Sequence, residues 1–189
     1  METIRAFIAV EIDQPNKQKI LDLISDLKKS EADVKWVTQD QMHLTLKFLG
    51  NIDKIKIPEI TDAMRSSAQD LTSFTITFSK IGAFPNLNHP RVIWIGIDKG
   101  AENLKTITEK IETGLEKLGF KREGLEFKPH LTLGRVRTSK NMPELTKLIK
   151  EANFSSEGEI QISELILFQS TLTQKGAIYT KIGTAALKL

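Results

Sequence analysis

No cysteine occurs anywhere in the 189-residue sequence. Disulfides, thiolate nucleophiles and cysteine-ligated metals are therefore excluded, and the composition fits a reducing compartment, the cytoplasm. Histidine is nearly as scarce, with three residues in all. Long apolar runs are missing as well: every apolar stretch is broken by a charge or turn residue within about ten residues, too short for a membrane span. The opening METIRAFIAVEID has an acidic residue at position 2 and no small-residue cleavage site, so it reads as a first strand rather than a signal peptide. Charge of one sign is also limited. A net charge of +3 and a pI near 9.0 are compatible with an anionic ligand but too weak for broad coating by nucleic acid. With 40% hydrophobic and 27% charged residues, the chain has the make-up of one globular domain, or two small lobes sharing a core.

What is present has a clear order. IRAFIAVEI (4–12) is an apolar run of strand length, Asp13 offers a helix cap with Pro15 in the first turn, and Ile20, Leu21, Ile24 and Leu27 follow at helical spacing. VKWV and HLTLKFL (43–49) are strand candidates, the latter stopped by Gly50-Asn51. Pro58 opens a helix carrying Ile60, Ala63, Met64 and Ala68. FTITF (74–78) alternates phenylalanine and isoleucine with threonine, a half-buried strand, and AFPNLNHP (83–90) is turn chemistry. The pattern then starts again. RVIWIGID (91–98) is a buried-type strand, Leu104, Ile107, Ile111, Leu115 and Leu118 mark an amphipathic helix ended at Gly119, and HLTLGRV (130–136) is the next strand. Pro143 opens a helix with Leu145, Leu148, Ile149 and Ala152, and final strands are expected over 159–168 and 177–187.

A shift of 87 residues superposes the elements without a gap: Phe7 meets Trp94, Ile8 meets Ile95, Val10 meets Ile97, and the HLTL of 43–46 meets the HLTL of 130–133. The reading is an internal duplication within residues 1–189, with approximate repeats 4–84 and 91–168 and a C-terminal strand at 177–187. Two pseudo-symmetric αβ halves with mainly antiparallel sheets, an α+β fold, are favoured over a doubly wound parallel sheet because of the clear alternation in segments such as 74–78.

Side chains alternate along a strand. His43 and Thr45 therefore face one way and Leu44 and Leu46 the other, and the same holds for His130 and Thr132 against Leu131 and Leu133. A pseudo-twofold axis would bring the two polar faces together across a cleft. Two imidazoles can divide general acid and general base work on a phosphorus centre, and two hydroxyls can donate to its non-bridging oxygens. Lys47 is expected on the same face as His43 and Thr45, and Arg135 can reach back to clamp a phosphate. Arg91 is a weaker candidate. Phe7, Phe48, Trp94 and Tyr179 are candidates to stack on a base, or simply core. Zinc would need a third ligand, and His89, in a Pro/Asn loop without a ligand-like partner, is the only histidine left; a metal-free acid–base pair is the preferred reading.

Paired H-x-T-x motifs in two duplicated halves resemble the two-histidine (2H) phosphoesterase superfamily. More closely, RAFIAVEI, QMHLTLKFLG, RVIWIGI, FKPHLTLGR and LFQSTLTQKGAIYTKI resemble the RNA 2',3'-cyclic phosphodiesterases, also called 2'-5' RNA ligases, from end to end. The resemblance implies a bilobal fold with a central cleft. It implies opening of a 2',3'-cyclic phosphate on an RNA end or nucleotide to a 2'-phosphate, without metal, ATP or other cofactor. It further implies His43 as proton donor, His130 as proton acceptor, and Thr45, Thr132 and Arg135 as phosphate-holding residues. The expected form is a cytoplasmic monomer that does not engage membranes. Two alternatives remain open: ATP-independent 2'-5' ligation of tRNA halves by the same site, and a nucleotide-binding module without catalysis.

Overall fold

A computed structural model of the chain describes residues 2–174 and 176–189; Met1 of the opening segment and Lys175 of the closing one lie outside it. The apolar opening run forms β1 (Thr3–Glu11), buried from Ala6 to Val10. Its side chains split between two packing regions, as a strand covered on both faces requires. Ile4, Ala6, Ile8 and Val10 join the main core, whereas Phe7 and Ala9 join a small cluster with Ile166 and Phe168 on the other face. Asp13 caps the following helix α1 (Gln14–Lys28), its carboxylate accepting the Asn16 N–H at 3.0 Å, with Pro15 in the first turn.

The remaining elements are β2 (Val34–Trp36), β3 (His43–Asp53), α2 (Ile57–Ala68), β4 (Phe74–Ile76), β5 (Phe78–Phe84), β6 (Val92–Ile97), α3 (Ala101–Glu116), β7 (His130–Val136), α4 (Met142–Glu151), β8 (Ile160–Ile162), β9 (Glu164–Thr173) and β10 (Gly176–Ala186). The strands make two four-stranded sheets, β10-β9-β1-β3 and β2-β7-β6-β5, and a two-stranded sheet β4-β8. Every pairing between these strands is antiparallel. The architecture is α+β, with antiparallel sheets as the alternating segments indicated. Among the described residues no helix is long and apolar enough to cross a membrane.

The sheets do not divide along the chain. β5 follows α2 in the first half of the sequence yet pairs with β6, and β9 follows α4 in the second half yet pairs with β1. β2 likewise pairs with β7. Each large sheet thus takes two strands from each half, and one continuous core contains leucines and isoleucines of both.

Three expected boundaries are corrected. FTITF is not one strand: Phe74–Ile76 pairs with β8, Thr77 passes between sheets with its N–H donating to the Lys99 carbonyl, and Phe78 begins β5. The segment 159–168 is likewise two strands broken at Ser163, whose carbonyl accepts the Leu187 N–H instead of a ladder bond. Gly50-Asn51 does not stop β3, which runs on to Asp53 with Gly50, at φ +70°, opposite Ala6. Glycine takes that conformation without a Cβ penalty, so the strand bends and continues.

The pairing of β3 with β1 slips by one residue at Leu46, because Ala9 pairs with Thr45 and Ile8 with Lys47. β7 slips against β6 at the corresponding leucine: Trp94 pairs with Thr132 and Ile93 with Gly134, leaving Leu133 over. Such bulges reverse the alternation for the residues that follow. Lys47 therefore leaves the His43/Thr45 face on which strict alternation put it. It is 2% exposed, and its ammonium donates to Glu112 of α3 at 2.7 Å and to the Lys121 carbonyl at 2.9 Å. At the matching position of β7 stands Gly134, where a Cβ would come within 2.7 Å of Val34 on β2.

Glu112→Ala would leave the Lys47 ammonium without its charge partner in the interior. The expected loss is about 3–5 kcal/mol, with the Lys47→Met/Glu112→Leu double variant recovering most of it. Urea unfolding measures both, and a loss below about 1 kcal/mol for Glu112→Ala would show that the pair is not desolvated as described.

Candidate active site

β3 and β7 begin at the two motif histidines. Leu44, Leu46, Leu131 and Leu133 are buried in the main core, which fixes the rotation of each strand about its axis. The polar alternates are thereby turned outward, and His43, Thr45, His130 and Thr132 line one cleft of about 520 Å³ between the two large sheets. The first helices, beginning at Gln14 and Ala101, keep the same 87-residue offset as the histidines, and so do the bulged leucines.

Each imidazole is walled by aromatic rings from its own sheet. Phe7 stacks on His43 at 4.7 Å between ring centroids, and Tyr179 meets it edge-on at 5.0 Å. Phe84 meets His130 edge-on at 5.0 Å, with Trp94 behind it at 6.2 Å. Trp94 can lie there because the strand beneath it offers Gly82, where a Cβ would stand 2.4 Å from the indole. The rings remove water from the imidazoles and disfavour their charged forms. Burial pushes His43 down to about 4, with Lys17 adding to the lowering and a hydrogen bond to the Gln41 backbone and the Glu11 carboxylate opposing it. His130 is also lowered, first by burial, against a backbone hydrogen bond to Lys128 and with a contribution from the Arg135 charge.

The backbone hydrogen bonds fix ring orientation. His130 Nδ1 lies 2.6 Å from the Lys128 carbonyl oxygen. A carbonyl only accepts, so Nδ1 carries the proton and the neutral ring keeps its lone pair on Nε2. His43 has its own backbone hydrogen-bond partner in Gln41, two residues before it.

Arg135 lines the same cleft. The bulge at Leu133 puts it there, since unbroken alternation from His130 would have sent it to the leucine face. The residue at the matching place in β3 is Phe48, 52% exposed on the cleft wall. Of the other aromatic candidates, Phe7 is buried beneath His43, Trp94 is half-buried beside His130, and Tyr179 lines the cleft. Lys47 touches the cleft floor, but its charge is taken by Glu112. Arg91 and His89 are not among the cleft-lining residues; His89 is exposed in the 85–90 turn, its N–H donating to the Asn86 side chain at 3.0 Å.

Arg5, Lys35, Phe84, Glu123 and Phe127 also line the cleft, and sequence reasoning missed them. Arg5 and Phe7 lie two residues apart on β1 and so share a face, a signal that was available once Phe7 was a candidate. Nothing local marked Lys35, which enters only because β2 joins the far sheet.

A model of the 2'-5' RNA ligase superfamily matches residues 15–173. The RNA 2',3'-cyclic phosphodiesterase of Archaeoglobus fulgidus is 36% identical over 176 residues, covering 93% of this chain and 96% of that protein. Among solved structures, TT0787 of Thermus thermophilus superposes with a TM-score of 0.82 at 24% identity, covering 98% of both chains. LigT of E. coli, without ligand, superposes with a TM-score of 0.77 at 21% identity over the full length of both.

In the protein without ligand, both rings are expected to be neutral at pH 7, with His43 titrating near pH 4 and His130 below 6.5. Because His43 folds with a value below its unfolded one, its neutral state supports stability fully above about pH 6.5, and that support is lost as the pH falls toward 4. Imidazole ¹⁵N chemical shifts followed across pH 3–9 check this. Phe7→Ala, which readmits water, should move the His43 midpoint upward, and a wild-type His43 midpoint near 6.5 would contradict the desolvated ring.

Proposed function

The chain belongs to the 2'-5' RNA ligase superfamily, and from that premise we propose that it hydrolyses RNA 2',3'-cyclic phosphate ends to 2'-phosphomonoesters. The observation that carries the reading is the pair of desolvated imidazoles, each with a hydroxyl two residues on, lining a single cleft. The duplication of an αβ unit, with the motif once in each copy, is part of the same reading.

The cyclic diester lies between the two histidines. Neutral His130 takes a proton from water through Nε2, the water oxygen attacks phosphorus, and the bond from phosphorus to the 3' oxygen breaks in line. His43 in its protonated form delivers a proton to the departing 3' oxygen, leaving a 3'-hydroxyl and a 2'-phosphate. Thr45 and Thr132 donate hydrogen bonds to the non-bridging oxygens, and the Arg135 guanidinium spans them. His43, neutral in the empty cleft, acquires its proton when the anionic diester binds, because a nearby negative charge favours the imidazolium. The division of labour into acid and base follows the family resemblance. No step calls for a metal: the ring strain of the five-membered diester and the protonated leaving group take that part.

Ligation by the same residues is the second reading, with an RNA 5'-hydroxyl in place of water. Water at about 55 M outcompetes an RNA end unless binding supplies a high effective molarity, so hydrolysis is the principal activity. The cysteine-free composition fits work in a reducing compartment such as the cytoplasm.

His43→Ala and His130→Ala should each lower turnover of a defined cyclic-phosphate RNA by about 100- to 10,000-fold, with 2'-phosphate as the wild-type product and no effect of EDTA. A 3'-phosphate product, or loss of activity in EDTA, would overturn the mechanism; ligated tRNA halves exceeding 2'-phosphate would reverse the ranking of the two reactions. The pH profile of kcat/KM should be bell-shaped with its maximum below pH 6.5. His130 is protonated on the acid side and His43 loses its proton on the alkaline side, and both free-enzyme values are lowered. The kcat profile should lie at higher pH, since bound substrate raises both. A flat profile between pH 5 and 8 would rule out paired proton transfer.

A further inference from the structure

The reacting diester carries one negative charge, but the cleft holds more positive charge than that needs. Besides Arg135, it is lined by Arg5 from one large sheet and Lys35 from the other. Among the described residues, none of these three has a carboxylate within ion-pair distance, whereas Lys47, the other cation lining the cleft, is paired with Glu112. Lys35 and Arg135 are direct cross-strand partners, a like-charge pairing that is unfavourable unless something negative lies over it.

Arg5 extends the same feature across the cleft. Ser170 of β9 pairs with Arg5 on one side and with Tyr179 of β10 on the other, and all three line the cleft as one row. The charges of Arg5 and Arg135 both act on the Tyr179 phenol, drawing its pKa down against the larger upward push of burial. Arginines from opposite sheets thus line the same cleft as Tyr179. Along β1, Arg5 lies two residues from Phe7, the ring that stacks on His43, a displacement of about 7 Å at the usual rise per strand residue. That is on the scale of one nucleotide step of an extended chain.

Resting on the hydrolase reading above, we propose that Arg5 and Lys35 form a second anion subsite for the phosphodiester on the 5' side of the terminal nucleoside. Substrate selection is then for an oligonucleotide end over a mononucleotide. The Tyr179 hydroxyl, between the two phosphates, is a donor to either. Glu123, the one acidic residue lining the cleft among the described residues, keeps that wall free of further phosphate.

The test compares uridine 2',3'-cyclic phosphate, which lacks a 5' phosphate, with the dinucleotide UpU ending in the same cyclic phosphate. Wild-type kcat/KM should be about tenfold or more higher for the dinucleotide, the scale of a charge-assisted contact. Arg5→Gln and Lys35→Gln should each pull that ratio toward one, while Lys150→Gln, an exposed cation of α4, keeps it. The slope of log KM against log salt for the dinucleotide should become shallower by about 0.7 per cation removed, a change that misfolding does not mimic. A wild-type ratio near one, or equal losses on both substrates in Arg5→Gln and Lys35→Gln with the salt slope unchanged, would overturn the subsite. Failure of the hydrolase reading looks different: the wild type turns over neither substrate. The subsite is then read from binding of the unreactive 3'-phosphates UpUp and Up. A wild-type preference for UpUp that Arg5→Gln abolishes supports it, and equal affinities overturn it.

Discussion

Burial of four leucines in one core is the constraint on which the cleft depends. Leu44 and Leu46 on β3, and Leu131 and Leu133 on β7, are almost wholly inaccessible to solvent. A strand has only two faces, so fixing the leucines inward leaves His43, Thr45, His130 and Thr132 no direction but outward. Loss of side-chain packing at any of the four would free its strand to rotate, and the imidazole would move with it. The exchange of β5 and β9 between the sequence halves reinforces this, because neither large sheet can form without strands from both.

The same packing sets the electrostatics. Aromatic rings against each histidine exclude water, and desolvation is the largest influence on both imidazoles. On the hydrolase reading proposed above, a neutral pair suits a site that waits for an anion, because the bound negative charge would favour return of a proton to His43. Around this half-buried pair the cleft is rimmed by cations that have not been neutralised internally. The one lysine that has been, Lys47, is turned toward Glu112 and serves to tie β3 to α3 and to the chain leading toward β7.

Two bulges do what regular strands could not. Without the extra residue at Leu133, Arg135 would lie on the core face, and without the one at Leu46, Lys47 would stand beside Thr45 as strict alternation required. Their occurrence at matching leucines means that both motifs end in the same distortion, yet the outcomes differ. One delivers an arginine and the other a phenylalanine to the cleft, so the two walls are alike in their imidazole and hydroxyl and unlike one step beyond.

The order of elements, the α+β class, the repeated tetrapeptide and the pairing of its histidine and threonine on one face were all legible in the sequence by itself. Each is local: period-two alternation, helix caps such as Asp13, and residue identity are written within a few positions of one another. Tertiary structure alone decided where FTITF and the 159–168 segment break, because those breaks occur where a strand changes partner sheets. It alone sent Lys47 inward and Arg135 outward, because a bulge is a mismatch between two strands and has no mark on either one. It alone brought Arg5 and Lys35 to opposite walls of the cleft, since β1 and β2 enter different sheets, and which strand pairs with which is settled by the burial of the whole core rather than by any stretch of chain.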